Sequence, residues 1–182
     1  MSMVAVFFAE GFEECEGLLV VDILRRSGIG VETISVNESK SVTSSHNVTV
    51  MADTTVAEAD YSKYDMIVLP GGIPGTPNLA ANSTVVEQCR EFADKKAIAA
   101  VCAAPSVLGE LGLLKGRKAT VYPGFEDKLL GADATGAAVV RDGNVITGNG
   151  LGAAIPFALE IVKMFAGEEK AAETAGKIQY KF

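Results

Sequence analysis

Three short apolar runs most constrain the fold: residues 4–8, residues 65–69 after their leading aspartate, and residues 97–101. Each is too short to be a helix and shows no polar alternation, which is the mark of a strand buried on both faces. Helical patterns separate them. Residues 13–26 carry Leu18, Val21, Asp22 and Arg25 at helical spacing and close at Gly28. Asn82 predicts the cap of a helix over 83–94, and a helix follows Cys102 through Leu111. Residues 31–36 read as another strand and residues 43–50 as a small hairpin or edge strand. The Pro70-Gly71-Gly72 turn continues as a Gly/Pro loop to Pro77. A short strand is expected at 118–121, a hairpin about Asp142-Gly143, and a helix over 155–165, with a further helix possible in the tail from Glu168. Strands alternating with helices predict an α/β fold with a mostly parallel sheet and helices on both faces.

The 182 residues show no composition break, so one domain spanning 1–182 is expected. The net charge of −7 argues against nucleic acid as a partner. No apolar stretch reaches transmembrane length, which argues against a membrane partner, and no basic segment precedes the first strand, so no signal peptide is expected. Three cysteines without close spacing form no disulfide framework and fit a reducing cytoplasm.

In a sheet of this kind ligands bind beyond the carboxyl ends of the strands. Three features fall there: Glu13–Glu16 as a group, Gly71-Gly72, and Cys102. Cys102 ends an apolar strand and opens a helix through Ala103-Ala104-Pro105, the layout of a nucleophile elbow with sulfur in place of oxygen. The helix N-terminus favours a thiolate, with a pKa below the free value of ~8.5, and supplies N–H groups for an oxyanion. The plainer alternative is a packed core thiol. Gly71-Gly72 allows close backbone approach, or is simply a tight turn. Among Glu13, Glu14 and Glu16, one carboxyl can reach the cysteine, and the others complement the helix dipole. An ionised carboxylate would oppose the thiolate, so that partner must be protonated.

His46 is the only histidine and lies in a polar stretch far upstream of Cys102, which argues against a Cys–His hydrolase and excludes a histidine-rich metal site. Cys15 and Cys89 read as structural. The segment Gly148-Asn149-Gly150-Leu151-Gly152 lacks the lysine of a phosphate loop and reads as a loop and helix cap.

Taken together, Ala9-Glu10-Gly11-Phe12-Glu13-Glu14-Cys15-Glu16, Val21 through Gly28, Val68-Leu69-Pro70-Gly71-Gly72 and Ala100 through Pro105 resemble the ThiJ/PfpI superfamily, specifically its DJ-1 branch. The resemblance covers nearly the whole chain. It implies a flavodoxin-like three-layer sandwich, usually homodimeric, with a reactive Cys102 and a protonated Glu16 as its partner. Backbone N–H groups of Gly72 and Ala103 would form the oxyanion site. His46 falls where relatives carry arginine or histidine near the site, often reaching in from the partner subunit, and Arg26 is a further candidate to support the site from the same chain or its partner. The implied activity is a glyoxalase or deglycase acting on methylglyoxal-type α-oxoaldehydes or their adducts, protective against carbonyl and oxidative stress, with no metal or organic cofactor. A redox sensor or chaperone with Cys102 oxidised to a sulfinate is the alternative. An intracellular cysteine peptidase or amidohydrolase is weaker, because Tyr122 stands where many relatives carry a histidine. The resemblance also implies a first helix in the dimer interface, with Cys15 near the subunit boundary.

Overall fold

The computed structural model describes residues 2–181. In chain order the strands are β1 (Met3–Phe8), β2 (Gly30–Ser35), β3 (Ser41–Thr43), β4 (Thr49–Met51), β5 (Thr54–Thr55), β6 (Met66–Leu69), β7 (Ala97–Val101), β8 (Lys118–Ala119), β9 (Asp133–Ala134), β10 (Val139–Asp142) and β11 (Val145–Gly148). The helices are α1 (Glu14–Arg26), α2 (Gly75–Ala81), α3 (Ser83–Lys95), α4 (Pro105–Glu110) and α5 (Ala154–Lys177). Seven strands form one sheet in the order β10-β11-β7-β6-β1-β2-β5. Within this sheet only the β10–β11 hairpin is antiparallel.

Strand periodicity builds the three layers. In β1, Phe8 turns to one face, joining Phe12, Val20, Leu24 and Phe157 of the α1 and α5 layer. Its neighbour Phe7 turns to the other face and joins Leu79, Phe92 and Leu108 of α2, α3 and α4. Both rings are fully buried, each worth about 1.5–3 kcal/mol relative to exposure. The apolar runs are therefore central because neither face of their strands meets water. The expected α/β sandwich with a mostly parallel sheet is what the chain forms.

Several local expectations change. The Gly/Pro loop to Pro77 becomes helical from Gly75. Pro77 falls in the first turn of α2, where a backbone N–H would have no helical acceptor, so proline is tolerated. Of the residues marked at helical spacing in α1, only Val21 is buried. The core face is Gly17, Val20, Val21, Ile23 and Leu24, and Leu18 is 39% exposed. The expected strand at 118–121 shortens to β8, which pairs with β9 outside the main sheet. Helix α5 runs past 165 through a break at Gly167, whose φ is 87°. Beyond it Ala171, Thr174 and Ala175 are buried, and Thr174 Oγ1 meets Ser27 Oγ at 3.0 Å. The tail thus packs on α1.

The topology reverses at β1, which has β6 on one side and β2 on the other. The crevice beyond β1 and β6 is where such sheets bind ligands.

Candidate active site

Beyond β1 the chain turns through Gly11 and Phe12 into α1, and the three glutamates there part company. Glu13 is the N-cap: its Oε2 accepts the N–H of Glu16 at 2.6 Å. Glu14 faces outward to His46, whose Nδ1 lies 3.1 Å from its carboxylate. Glu16 alone turns inward and is 1% exposed. Its Oε2 accepts the N–H of Gly71 at 2.9 Å, while its Oε1 is buried without a hydrogen-bond partner.

Cys102 follows β7 with φ +63°, a left-handed conformation that a residue with a side chain adopts at a cost. The strain is held from both sides, since the Cys102 N–H donates to Gly148 O at 2.9 Å and its carbonyl accepts the Tyr122 N–H at 2.8 Å. Pro105 follows at the start of α4, and the turn points the thiol into the crevice with Glu16. The backbone N–H groups of Ala103 and Gly72 both reach the sulfur.

Gly71 sits between the two side chains. A Cβ there would lie 2.6 Å from Cys102 Cβ and 2.7 Å from Glu16 Oε2, so only glycine leaves room for the pair. Gly72 adopts φ +98°, and a Cβ on it would meet the Glu13 nitrogen at 2.4 Å. The sequence showed that the glycine pair allows close approach but not that Gly71 separates two reactive groups. Gly148, which the sequence places in a loop, is instead the last residue of β11, and its carbonyl holds the Cys102 N–H. The register of β11 beside β7, which pairs Gly148 with Val101, is what brings it there.

Burial raises the Glu16 carboxyl from its ordinary 4.5 to about 7, against the opposing contacts from Cys102 and Gly71. Burial and then the charge of Glu16 push the Cys102 thiol up to about 12, against the N–H groups of Ala103 and Gly72. This corrects the expectation of a depressed thiol pKa: the helix N-terminus is outweighed by burial and by an ionised neighbour. With the proton on Glu16, the repulsion vanishes and the carboxylic O–H becomes a donor to sulfur. The two groups therefore titrate as one coupled unit.

Other expected residues lie elsewhere. His46 is exposed, and its contact with Glu14 raises its pKa. Arg26 pairs with Asp22 at 2.6 Å, half exposed. Among the described residues, neither makes a hydrogen bond to Cys102 or Glu16 within this chain. Tyr122 follows the buried Val121, tied by its backbone to Cys102, with its side chain 49% exposed. The single histidine is engaged with Glu14, so Cys102 has no imidazole beside it within the chain. Cys89 is fully buried, and desolvation lifts its thiol to about 12. Cys15 is exposed rather than packed.

A parallel sheet ending in a strained cysteine beside a buried carboxyl defines a class of α/β proteins with a nucleophile elbow. Residues 2–164 match the DJ-1/PfpI family, and the chain belongs to that family. It is 38% identical to Protein dj-1beta of Drosophila melanogaster over 173 residues, 93% of this chain and 92% of that protein. It is 36% identical to the Parkinson disease protein 7 homolog of Danio rerio over 181 residues, 97% of this chain and 96% of that one. Among solved structures, a DJ-1 superfamily protein of Salmonella typhimurium, a cysteine-to-alanine mutant, shares 39% identity at a TM-score of 0.94, with both chains fully covered. Oxidized Toxoplasma gondii DJ-1 shares 32% identity at a TM-score of 0.96, again over the whole of both chains.

Proposed function

We propose that this protein is a cysteine-dependent glyoxalase that converts methylglyoxal-type α-oxoaldehydes to 2-hydroxy acids. The observation that carries this reading is the buried Glu16 carboxyl in contact with Cys102, one of its oxygens, Oε1, having no hydrogen-bond partner. A buried carboxylate oxygen without a donor favours the protonated acid, and an acid there can give its proton to a substrate oxygen.

The steps follow from that proton. The Cys102 thiol passes its proton to the Glu16 carboxylate as the sulfur attacks the aldehyde carbon and an S–C bond forms. Glu16 protonates the resulting oxyanion, giving a hemithioacetal, while the N–H groups of Gly72 and Ala103 hold the oxygen as charge develops. Glu16 is now a carboxylate and removes the proton from the former aldehyde carbon, giving an enediolate. It returns that proton to the neighbouring carbon while the hydroxyl proton passes to the neighbouring oxygen, leaving a thioester of the hydroxy acid. Water cleaves the thioester, releasing lactate from methylglyoxal and restoring the thiol. One carbon is oxidised as its neighbour is reduced, so the exchange is internal and calls for no external oxidant or hydride carrier. The same pair would act on early thiol or amine adducts of the aldehyde, releasing the carbonyl fragment as a deglycase.

The test is lactate production from methylglyoxal without added glutathione by wild type, Cys102→Ala and Glu16→Gln. Turnover in wild type and its loss in both variants is expected. A wild type that makes no lactate overturns the proposal.

A second reading has its own support. The N–H groups that would hold an oxyanion would also hold the oxygens of a Cys102 sulfinate, and a protonated Glu16 would donate to them. Mild peroxide followed by mass spectrometry separates the two readings: selective oxidation of Cys102 without aldehyde turnover makes the protein a redox sensor.

A further inference from the structure

A cavity of about 380 Å³ opens between α2 and α4, outside the groups that contact Cys102. It is built from the same three segments as the cysteine site. Ile73 follows Gly72. Ser106 lies one turn past Cys102, and its Oγ donates to Ala103 O at 2.6 Å. Phe125 donates its N–H to Tyr122 O at 3.1 Å, and Tyr122 in turn donates its own to Cys102 O. Val107, Phe125 and Ala80 make the walls largely apolar. At the rim Lys128 pairs with Glu110 at 3.0 Å.

One group in this lining is out of balance. Thr76 is 4% exposed, and its Oγ1 has no hydrogen-bond partner. Buried hydroxyls are rarely left unpaired, and a bound hydrogen-bonding atom would remove the cost. The same residue donates its N–H to Gly72 O at 2.8 Å, which fixes it to the turn that reaches the sulfur. The cavity is far larger than a methyl group, since a single water occupies about 30 Å³ in the liquid. Methylglyoxal would leave it nearly empty.

We infer that the cavity is a side-chain subsite for α-oxoaldehydes carrying an aromatic group with a hydrogen-bonding atom, which Thr76 recognises. The inference rests on the glyoxalase reading above for the chemistry at Cys102, but not for binding in the cavity. 4-Hydroxyphenylglyoxal fits the description: it offers a ring for the Val107 and Phe125 walls and a phenol for the Thr76 hydroxyl, which would turn about χ1 to reach it.

Two arms test it. In the kinetic arm, kcat/KM for 4-hydroxyphenylglyoxal should exceed that for methylglyoxal by on the order of tenfold. Ala80→Trp, at an exposed position on α2 where the fold is not at risk, should lower that ratio by a similar factor. Thr76→Val should lower the preference for 4-hydroxyphenylglyoxal over phenylglyoxal by about fivefold to tenfold. In the binding arm, 4-hydroxymandelate, the corresponding product, should shift the amide resonances of Thr76, Ala80 and Phe125 in wild type, and lactate should not. A wild type inactive on methylglyoxal sinks the reading of Cys102 but leaves the binding arm to decide the cavity. If 4-hydroxymandelate moves none of those three resonances, the subsite is overturned whatever the enzyme does with methylglyoxal.

Discussion

Glu16 binds the backbone of Gly71 at 2.9 Å through Oε2 and holds Oε1 buried without a hydrogen-bond partner, with the carboxyl as a whole against Cys102. The first oxygen fixes where the carboxyl stands, and the second is the one available to carry a proton. Replacing Glu16 by Gln keeps a side chain of the same shape and removes the charge that opposes the thiolate. The Cys102 thiol of Glu16→Gln should then titrate at lower pH than in wild type above neutrality, seen as thiolate absorbance in the ultraviolet. Lactate production should nevertheless fall by about 10²–10⁴-fold, because the amide cannot pass a proton. Glu16→Leu removes charge and hydrogen bond together, so its thiol should titrate above that of Glu16→Gln. A thiol titration unchanged in both variants would remove Glu16 from its assigned role.

The raised carboxyl also links stability to pH. Glu16 has a folded pKa of about 7 against an ordinary 4.5. An acid with a raised folded pKa contributes stability that is complete below the lower value and is lost as pH climbs through the higher one. Between 4.5 and about 7 the loss is on the order of 3 kcal/mol. Glu16→Gln carries no such linkage. Its stability relative to wild type should therefore rise between about pH 4 and about pH 8, by up to that amount. Urea midpoints of both proteins at the two pH values provide the measurement, and a difference independent of pH would contradict the assigned ionisation.

Much of this was legible in the sequence, for physical reasons. The runs in β1, β6 and β7 are apolar on both faces, so they could only be central strands, and the elements following them had to share one end of the sheet. That placed Cys102, Gly71-Gly72 and the glutamates together. What the residues alone left open was which glutamate turns inward. Family resemblance pointed to Glu16, and the cap contact from Glu13 to the Glu16 N–H fixes the helix phase that buries it. The thiol pKa was misjudged because helix-terminus charge is visible in sequence while burial is not. Thr76 escaped notice because it fell in a stretch read as loop, and no local pattern reveals an unpaired hydroxyl.

Gly71→Ala tests the packing of the pair without touching either reactive group. Gly71 is not left-handed, so its backbone tolerates a side chain, but the added Cβ would overlap Cys102 Cβ at 2.6 Å and Glu16 Oε2 at 2.7 Å. One of the two must move. Overpacking of this kind costs about 1–3 kcal/mol, and a shift of about 1 Å in a reacting group costs on the order of 100-fold in rate. The variant should fold, with a modestly lower melting temperature, and lose at least tenfold in lactate production. Full activity in a folded Gly71→Ala protein would show that the spacing of Cys102 and Glu16 does not govern the rate.

The last expectation concerns assembly. The β3–β4 hairpin is tied to the start of α1: Gly11 N–H donates to Thr43 O, and Ser45 N–H to Phe12 O, both at 2.8 Å. Their union presents apolar side chains to solvent, with Leu18 39% exposed, Val48 44% and Met51 72%. Cys15 is exposed on the same helix. Apolar groups gathered on neighbouring elements mark an association surface more often than scattered ones do. We expect a symmetric dimer through α1 and this hairpin, which would bring His46 and Arg26 of each chain toward its partner. Light scattering at micromolar concentration should give a mass of twice 19.0 kDa. Leu18→Lys places a charge on that surface, where an unpaired buried charge is strongly disfavoured, and should shift the protein to monomer without unfolding it, since Leu18 is 39% exposed in its own chain. A wild-type monomer at that concentration would overturn the dimer and leave Cys15 simply exposed on α1.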